Sequence, residues 1–340
     1  MNFRLGFALA ILLAVGVGLA LTFQRPPIQT TQTGYRGLNM AEVSSLRDAS
    51  ARRATVQIPP AQDPAPAGGP RATAEYKNVK VLTDLSVDQF NRVMLSITEW
   101  VSPQQGCTYC HKEGEDLSAD TLYTKIVSRR MLQMTRDINA SWKNHVAETG
   151  VTCFTCHAGQ PVPPSVWFTD PGRPHAAQAG ATAGQNAPAK SAAYSSLPLD
   201  PLSAFLVAPG STRVVSESPY PGTNPRNIMQ TEATYALMMN MSQALGVNCT
   251  YCHNTRSFSA WDQSTPQRTV AYHGIQMVRD LNANYLEPLK DQFPADRLGS
   301  LGDVPKVSCA TCHQGAFKPL FGFNMLKDNP ELAGPASQRR

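Results

Sequence analysis

The chain has 340 residues, 42% of them hydrophobic, and a formal net charge of +5. A chain of this length buries one or two sizeable cores, which excludes a miniature domain held together by disulfides. All eight cysteines lie in four Cys-x-x-Cys-His strings, so none remains for a structural disulfide. The cysteine pattern, and not the overall composition, is therefore the main guide to function.

The N-terminal segment contains an unbroken run of apolar residues, glycine and threonine over residues 5–23. A run of about 20 such residues spans a bilayer, and it exceeds the apolar region of about 7 to 15 residues found in cleaved secretory signals. No cysteine follows the run closely, which excludes lipid attachment at a processed N-terminus. We therefore expect residues 1–24 to be a retained transmembrane anchor.

Two stretches, residues 49–74 and 170–199, are rich in proline, alanine and glycine and poor in large apolar residues. Such composition cannot form a core, so we expect extended chain at the surface in both. Within the second stretch, His175 is expected to be solvated. The predicted connecting regions are an extended segment over residues 25–75, a linker over residues 166–225 and a C-terminal tail over residues 326–340.

The other two segments, residues 76–165 and 226–325, carry two strings each. Residues 130–142 read RMLQMTRDINASW, and residues 273–285 read HGIQMVRDLNANY. Such self-similarity indicates the duplication of a unit that holds two strings.

Helical patterns precede the strings, and no strand alternation of comparable length occurs. Ser86 and Gln89 form a capping box ahead of an apolar stripe, and Asp120 is expected to cap a second helix that runs to about residue 148. A third helix is expected from about residue 231 to residue 245, ending at Gly246, and a fourth from about residue 266 to residue 288. The predicted fold is mainly α, with two repeats and long irregular loops.

Each Cys-x-x-Cys-His string places two thiols about one helical turn apart, where they can add to the two vinyl groups of one haem while the histidine reaches the iron. The alternative for paired cysteines is zinc binding. Four strings that use every cysteine favour four covalently bound c-type haems. The predicted attachment residues are Cys107, Cys110, Cys153, Cys156, Cys249, Cys252, Cys309 and Cys312, and the predicted axial histidines are His111, His157, His253 and His313.

Haem attachment changes the interpretation of charge and location. Each haem adds two propionates, which offset the positive charge of the polypeptide, so nucleic-acid binding is not expected. Because c-type haem attachment is completed outside the cytoplasmic membrane, we expect the chain after residue 23 to lie on the periplasmic side.

The sixth ligand of each iron decides between electron transfer and ligand chemistry. Only three other histidines are present, namely His145, His175 and His273, so methionine must contribute or a site stays open. Met94, Met131 and Met238 lie 17, 26 and 15 residues before the first, second and third axial histidines. Spacing alone does not choose between these methionines and core-filling neighbours, which are Met134, Met239, Met241 and Met277.

The fourth string lacks a methionine at the equivalent place, because Met131 of the first copy aligns with Gly274 of the second. His145 is the better candidate for this iron. It lies 14 residues after Met131, on what is expected to be the same helix, turned about 40° around the axis and displaced about 21 Å along it. His273 is the runner-up, with a hydrogen-bonding role near a haem edge as the alternative.

These residues together resemble the tetrahaem cytochrome subunit of the purple-bacterial photosynthetic reaction centre. The resemblance covers nearly the whole chain and includes TQTGYRGL at 31–38, YKNVKVL at 76–82, EWVSP at 99–103, STPQR at 264–268 and KPLFG at 318–322. It implies a mostly helical protein of two repeats that covers the periplasmic face of the reaction centre.

The resemblance also implies ligands and partners. Met94, Met131 and Met238 would serve the first three haems, His145 would face His313 at the fourth, and Arg268 would stand beside the third haem and raise its potential. The third haem would lie closest to the photo-oxidised chlorophyll pair and the first would be the most distant. Electrons would come from a soluble periplasmic cytochrome c or high-potential iron-sulfur protein, with the reaction-centre membrane subunits as permanent partners and no enzymatic turnover.

Two other classes of protein compete with this interpretation. One is a multihaem reductase with an open iron, which the methionine spacing argues against. The other is a membrane-anchored, quinol-oxidising electron shuttle unrelated to photosynthesis, but such proteins use histidine ligands that this chain lacks.

Overall fold

The computed structural model describes residues 3–23, 27–32, 41–170, 190–192, 194–195, 197–198, 200–215 and 226–334. Within these residues the fold is mainly α-helical, as predicted. His175 and most of the predicted 170–199 linker lie outside the described residues. The α-helices are α1 Phe3–Thr22, α2 Leu46–Thr55, α3 Ala72–Glu75, α4 Val87–Val101, α5 Tyr123–Ser141, α6 Lys143–Val146, α7 Cys153–His157, α8 Ile228–Leu245, α9 Pro266–Leu281 and α10 Cys309–His313.

Short 3-10 and π-helical turns connect these helices, and one two-stranded ribbon precedes α2. Strands β1 (Ile28–Gln32) and β2 (Ala41–Ser45) pair antiparallel, with Thr30 opposite Val43. The turns are Gly106–Tyr109, Lys190–Ala192, Ser203–Val207, Cys249–Tyr251, Asn282–Leu286, Glu287–Gln292, Ala295–Arg297, Pro319–Gly322, Leu326–Asp328 and Pro330–Ala333.

The N-terminal region differs in part from the extended chain that the sequence predicted. Helix α1 has the length and apolarity of a membrane span, with a mean hydropathy of 2.4 and none of its span buried. Residues 46–55 form α2, where extended chain was expected. Ser45 accepts a hydrogen bond from the Asp48 amide, and Arg52 and Arg53 lie in the last turn. These end residues compensate for the poor apolar content of the helix, because a cap and favourable dipole charges stabilise exposed helices.

The two segments predicted to be copies of one unit pack their helices in an equivalent way. In the first repeat α4 packs against α7, and in the second α8 packs against α10. The junctions are equivalent, because Gly159 N donates to Trp100 O at 2.9 Å and Gly315 N donates to Ala244 O at 2.8 Å. Gly246, in the left-handed region at φ +65°, ends α8 as predicted, and a Cβ there would lie 2.2 Å from the Gly315 carbonyl oxygen.

A repeated asparagine fastens the chain just before the second and fourth strings. Asn139 donates to Val151 O at 3.0 Å and accepts from Val151 N at 2.8 Å. Asn282 makes the same pair of bonds with Val307, at 3.0 and 2.9 Å. Each asparagine is buried and satisfies backbone groups that would otherwise lack partners.

The two repeats interlock, because each is closed by the segment that follows the other. Arg136 Nε donates to Glu331 O at 3.0 Å, at the C-terminal side of the second repeat. Arg279 Nε donates to Phe205 O at 3.0 Å, in the segment that follows the first repeat. Leu332 and Leu206, the residues after these carbonyls, are both 0% exposed. The C-terminal segment 326–333 therefore packs against the first repeat, and its Leu332 belongs to the smaller core.

Two details of the predicted second helix are wrong. Helix α5 begins at Tyr123 without a side-chain cap, because the Asp120 carboxylate instead pairs with Arg129 at 2.7 Å and Lys80 at 3.1 Å. The helix also ends before His145, since Trp142 leaves helical geometry at φ −113° and ψ 31°. Trp142 and Val146 pack against the larger core, and His145 is carried on the separate short helix α6. The capping box of Ser86 and Gln89 is confirmed.

Candidate functional site

The four strings adopt two local conformations that alternate along the chain. The first and third lie on the 3-10 turns Gly106–Tyr109 and Cys249–Tyr251. The second and fourth form the single-turn helices α7 and α10, each with a capping box between the residue before the first cysteine and the threonine inside the string. The alternation repeats in both copies.

Every string histidine has one ring nitrogen bound to a backbone carbonyl. His111 Nδ1 lies 2.9 Å from Leu117 O, and the corresponding distances to Gln160 O, Phe258 O and Ala316 O are also 2.9 Å for the other three strings. A carbonyl oxygen only accepts hydrogen bonds, so Nδ1 carries the proton. Nε2 is then the unprotonated nitrogen, which is the form of imidazole that binds a metal.

Burial shifts the pKa of several string residues in the direction that favours the uncharged form. It raises the pKa of Cys153 to about 12 and that of Cys309 to about 11. Burial also lowers the pKa of His313 to about 4 and that of His157 below its usual value. The imidazoles are therefore neutral at physiological pH and ready to bind a metal.

The structure brings His145 and His313 together at the fourth string. Their ring centres are 6.1 Å apart, with ring planes at 66°. Two imidazoles bound through Nε2 to opposite sides of one metal ion at about 2 Å have ring centres roughly 6 Å apart. The pair therefore fits a haem iron between the two rings.

The neighbourhood of His145 separates it from the competing candidate His273. His145 Nδ1 lies 2.9 Å from Val270 O, the same arrangement that the string histidines have. His273 makes no such bond to a described residue, and its ring lies beside Tyr272, with centres 6.3 Å apart. His145 is thus the better ligand candidate for a reason other than its position along a helix.

The methionine candidates differ in burial. Met94, Met131 and Met238 are half-buried and lie at the margins of the two cores. The competing Met241 and Met277 are 9% and 6% exposed and belong to the larger core, which suits the role of core filler. Met134 is also half-buried at the edge of that core, and Met239 is half-buried too, so burial does not separate these two from the candidates.

A hydroxyl residue one turn after two of the methionines was missed in the sequence. The Thr98 hydroxyl donates to Met94 O at 2.9 Å and lies 4.0 Å from Cys107 Sγ. The Thr135 hydroxyl donates to Met131 O at 2.9 Å, and the Cys153 thiol is hydrogen-bonded to it. These hydroxyls link the methionine turns to the first and second strings.

Comparison with known proteins now decides the family. The model of the photosynthetic reaction centre cytochrome C subunit family matches residues 24–333. The photosynthetic reaction center cytochrome c subunit of Rubrivivax gelatinosus is 51% identical over 311 residues, which cover 91% of this chain and 84% of that protein. This chain belongs to the family of photosynthetic reaction-centre cytochrome c subunits.

Two further relatives have the same description. That of Thermochromatium tepidum is 47% identical over 95% of this chain and 80% of its own length. That of Roseobacter denitrificans is 43% identical over 90% of this chain and 86% of its own length. The resemblance seen in the sequence is confirmed. Membership implies covalently bound c-type haem, which fits the paired thiols and the free Nε2 nitrogens. Within the described residues, no three His, Cys, Asp or Glu side chains converge as they do in a zinc site.

Cations flank the first and third strings of this family member. The Arg268 guanidinium lies over the Trp261 ring at 4.1 Å and donates to Ala260 O at 3.0 Å. Burial lowers the pKa of His253, and the charge of Arg268 lowers it further. Arg268 therefore lies close to the third string.

The equivalent residue of the first repeat is Lys125, six residues before Met131 as Arg268 is six before Gly274. Lys125 Nζ donates to Leu117 O at 2.6 Å, the carbonyl that also accepts from His111 Nδ1. The two copies have different residue types here, so the sequence pattern did not indicate this cation, although the alignment of the repeats places Lys125 and Arg268 at one position.

The strings form one series in space. Helix α4, which leads into the first string, packs on α7 of the second, and α7 packs on α10 of the fourth. Helix α10 also packs on α8, which leads into the third string. The spatial order is therefore first, second, fourth, third.

Proposed function

We propose that this chain is a membrane-anchored periplasmic electron carrier with four c-type haems. It passes electrons from a soluble periplasmic cytochrome c or high-potential iron-sulfur protein to the photo-oxidised chlorophyll pair of a reaction centre. The observation that carries the proposal is that all four strings, with their carbonyl-bound histidines, lie inside the region that matches the family. Bound haems supply one-electron redox chemistry.

We propose the axial pairs His111 with Met94, His157 with Met131, His253 with Met238, and His313 with His145. Hydrogen bonds from Nδ1 to backbone carbonyls orient the imidazoles of all five histidines. The first two pairs are further supported by Thr98 and Thr135, whose hydroxyls connect the turns of Met94 and Met131 to the first and second strings. Two protein ligands per iron suit electron transfer, because a six-coordinate iron changes charge with little rearrangement.

The spatial order of the strings supports a route for electrons that enter near the first string and leave near the third. Lys125 and Arg268 place positive charge at the two ends of this route and would change the potentials of the haems there. A cation near an iron disfavours the ferric state and raises the potential. The first repeat, residues 76–165, and the second, residues 226–325, would each hold two haems.

Anchoring by α1 is part of the proposal. Its apolar, wholly exposed surface supports a single membrane span. Attachment of c-type haem outside the cytoplasmic membrane then assigns the remaining chain to the periplasmic side, where the reaction-centre membrane subunits and the soluble donor would meet it.

A flash experiment on membranes tests the function. A saturating flash is expected to oxidise a c-type haem, and deletion of this gene should abolish that absorbance change. A variant with Cys249→Ala and Cys252→Ala should lose the earliest haem oxidation. A matched variant with Cys107→Ala and Cys110→Ala should keep it but lose rapid reduction by the soluble donor. Flash-induced haem oxidation that survives deletion of the gene would sink the proposal.

A further inference from the structure

The residue that lies directly against the His145 ring, beside the fourth string, is a glycine. We propose that Gly274 determines the sixth ligand of the fourth haem: the missing side chain admits His145 and so selects two histidines over histidine and methionine. The inference deepens the proposed function and rests on its axial pairs. It concerns a positioning residue, because Gly274 would act through His145, the ligand that lies against it.

The repeat shows what Gly274 replaces. The residues that follow it make the same bonds as their counterparts in the first copy, since Arg279 and Asn282 repeat the contacts of Arg136 and Asn139. Gly274 therefore occupies on α9 the place that Met131 has on α5. The second copy presents no side chain where the first presents a sulfur.

The space at this position is filled by His145. A Cβ on Gly274 would lie 2.5 Å from His145 Cε1, 2.9 Å from Nδ1 and 3.1 Å from Nε2. The imidazole cannot turn away easily, because its Nδ1 is tied to Val270 O, one turn earlier on the same helix. Any side chain at position 274 would therefore overlap the space that the His145 ring occupies.

Backbone conformation gives no reason for the glycine. Gly274 lies inside α9 and is buried, where glycine is among the poorest helix formers. Its φ is not in the left-handed region that favours glycine. The close approach of His145, which comes from α6 of the other repeat, is the feature that requires it. The space left by Gly274 thus lies in the second copy, and the proposed ligand His145 comes from the first.

Gly274→Met tests the inference in the purified, fully haem-loaded chain. We expect His145 to be displaced and the new methionine to bind the fourth iron as Met131 binds the second. The absorption band of methionine-ligated ferric haem should then grow by about one third, as such haems rise from three to four. The electron paramagnetic resonance signal of the bis-histidine haem should disappear, and the potential of that haem should rise. Gly274→Met combined with His145→Ala should give the same spectrum.

His273→Asn is the matched control, because it changes the neighbouring residue on α9 and should leave all four haem signals unchanged. If the methionine variant does not accumulate as a haem-loaded protein, Gly274→Ala replaces it in the test. The alanine Cβ alone is expected to abolish the bis-histidine signal. The wild-type spectrum distinguishes failure of the proposed axial pairs from failure of the role assigned to Gly274. A wild-type chain without one bis-histidine haem overturns the proposed axial pairs. A wild-type chain that has it, with Gly274→Met or Gly274→Ala retaining it at unchanged potential, overturns only the role of Gly274.

Discussion

The two repeats keep the residues that hold the backbone and change residues at positions proposed to serve the haems. Arg136 and Arg279 close their repeats through equivalent carbonyls, and the paired asparagines fasten equivalent strings. By contrast, Met131 is replaced by Gly274. The two copies thus share a similar scaffold, and under the proposed axial pairs the substitutions at ligand and charge positions would make the individual irons different without disturbing the fold.

A second difference lies in how the repeats are closed. The C-terminal segment that completes the first repeat carries a buried ion pair, with Arg92 Nη1 2.9 Å from Glu331 Oε2 and both side chains at most 5% exposed. The segment that completes the second repeat, around Phe205 and Leu206, bonds to Arg279 and Asn282 through backbone carbonyls. The first repeat should therefore depend more strongly on charge than the second.

The largest effect is expected from Glu331→Gln. It leaves the Arg92 charge buried without its partner, which costs about 3 kcal/mol of unfolding free energy. The loss should appear in urea unfolding followed at the haem bands, and the first and second haems should respond before the other two. Glu287→Gln, on an exposed turn, should change stability by less than about 0.5 kcal/mol. Equal destabilisation by the two variants would contradict a special role for the ion pair.

Asn139→Ala and Asn282→Ala test the equivalence of the two scaffolds. Each substitution removes the partner of buried backbone groups before a string, at a cost of about 2 kcal/mol. The two variants should lose similar stability in the same unfolding assay, whereas the exposed Asn91→Ala should be nearly neutral. A large effect in only one copy would show that the shared bonds are not equally important.

Lys125→Gln and Arg268→Gln test the cations at the two ends of the series. Removing one partly solvated charge should lower the potential of the adjacent haem by about 50 mV, or roughly 1 kcal/mol. A redox titration that resolves the four haems measures the shift, with the first haem responding to Lys125→Gln and the third to Arg268→Gln. Lys112→Gln, whose exposed ammonium pairs with Glu115, serves as the control. Shifts shared by all four haems would indicate a general change in structure instead.

The smallest effect concerns Asp84, which pairs with Arg136 at 2.7 Å. Burial raises the pKa of Asp84, but the hydrogen bonds and charge of Arg136 outweigh it and hold the pKa below its usual value. A depressed pKa stabilises the fold above about pH 4 and loses that effect as the pH falls further. Because the carboxylate is partly exposed, Asp84→Asn should cost about 1 kcal/mol at pH 7. Unfolding curves of the two proteins should converge near pH 3, and a difference that persists there would contradict the electrostatic explanation.

The sequence predicted those features whose causes are local or repeated. The strings, the Ser86 capping box, the end of α8 at Gly246 and the duplication all follow from short patterns. The predicted second helix breaks at Trp142, where no proline or glycine signals an end. The break arises from packing of the Trp142 side chain against the core. The role of Asp120 was mistaken for a similar reason, because its partners include the distant Lys80.

Local sequence patterns also could not predict that each repeat is completed by the segment that follows the other. Arg136 meets Glu331 across 195 positions of the chain, and no periodicity links the two. His145 was the more favourable candidate in the sequence and stays a proposed ligand, although the helix predicted to carry it is broken at Trp142. What supports it in the structure is the contact with Gly274 and the carbonyl of Val270, which no spacing rule contains.

The central claim is that the duplicated scaffold holds three irons with histidine and methionine and one with two histidines, the second histidine being His145. His145→Ala, studied by redox titration and electron paramagnetic resonance of the four-haem protein, tests it most directly. The account predicts loss of the single bis-histidine signal and a changed fourth haem, with the other three unaltered. A change confined to the second haem would contradict the account.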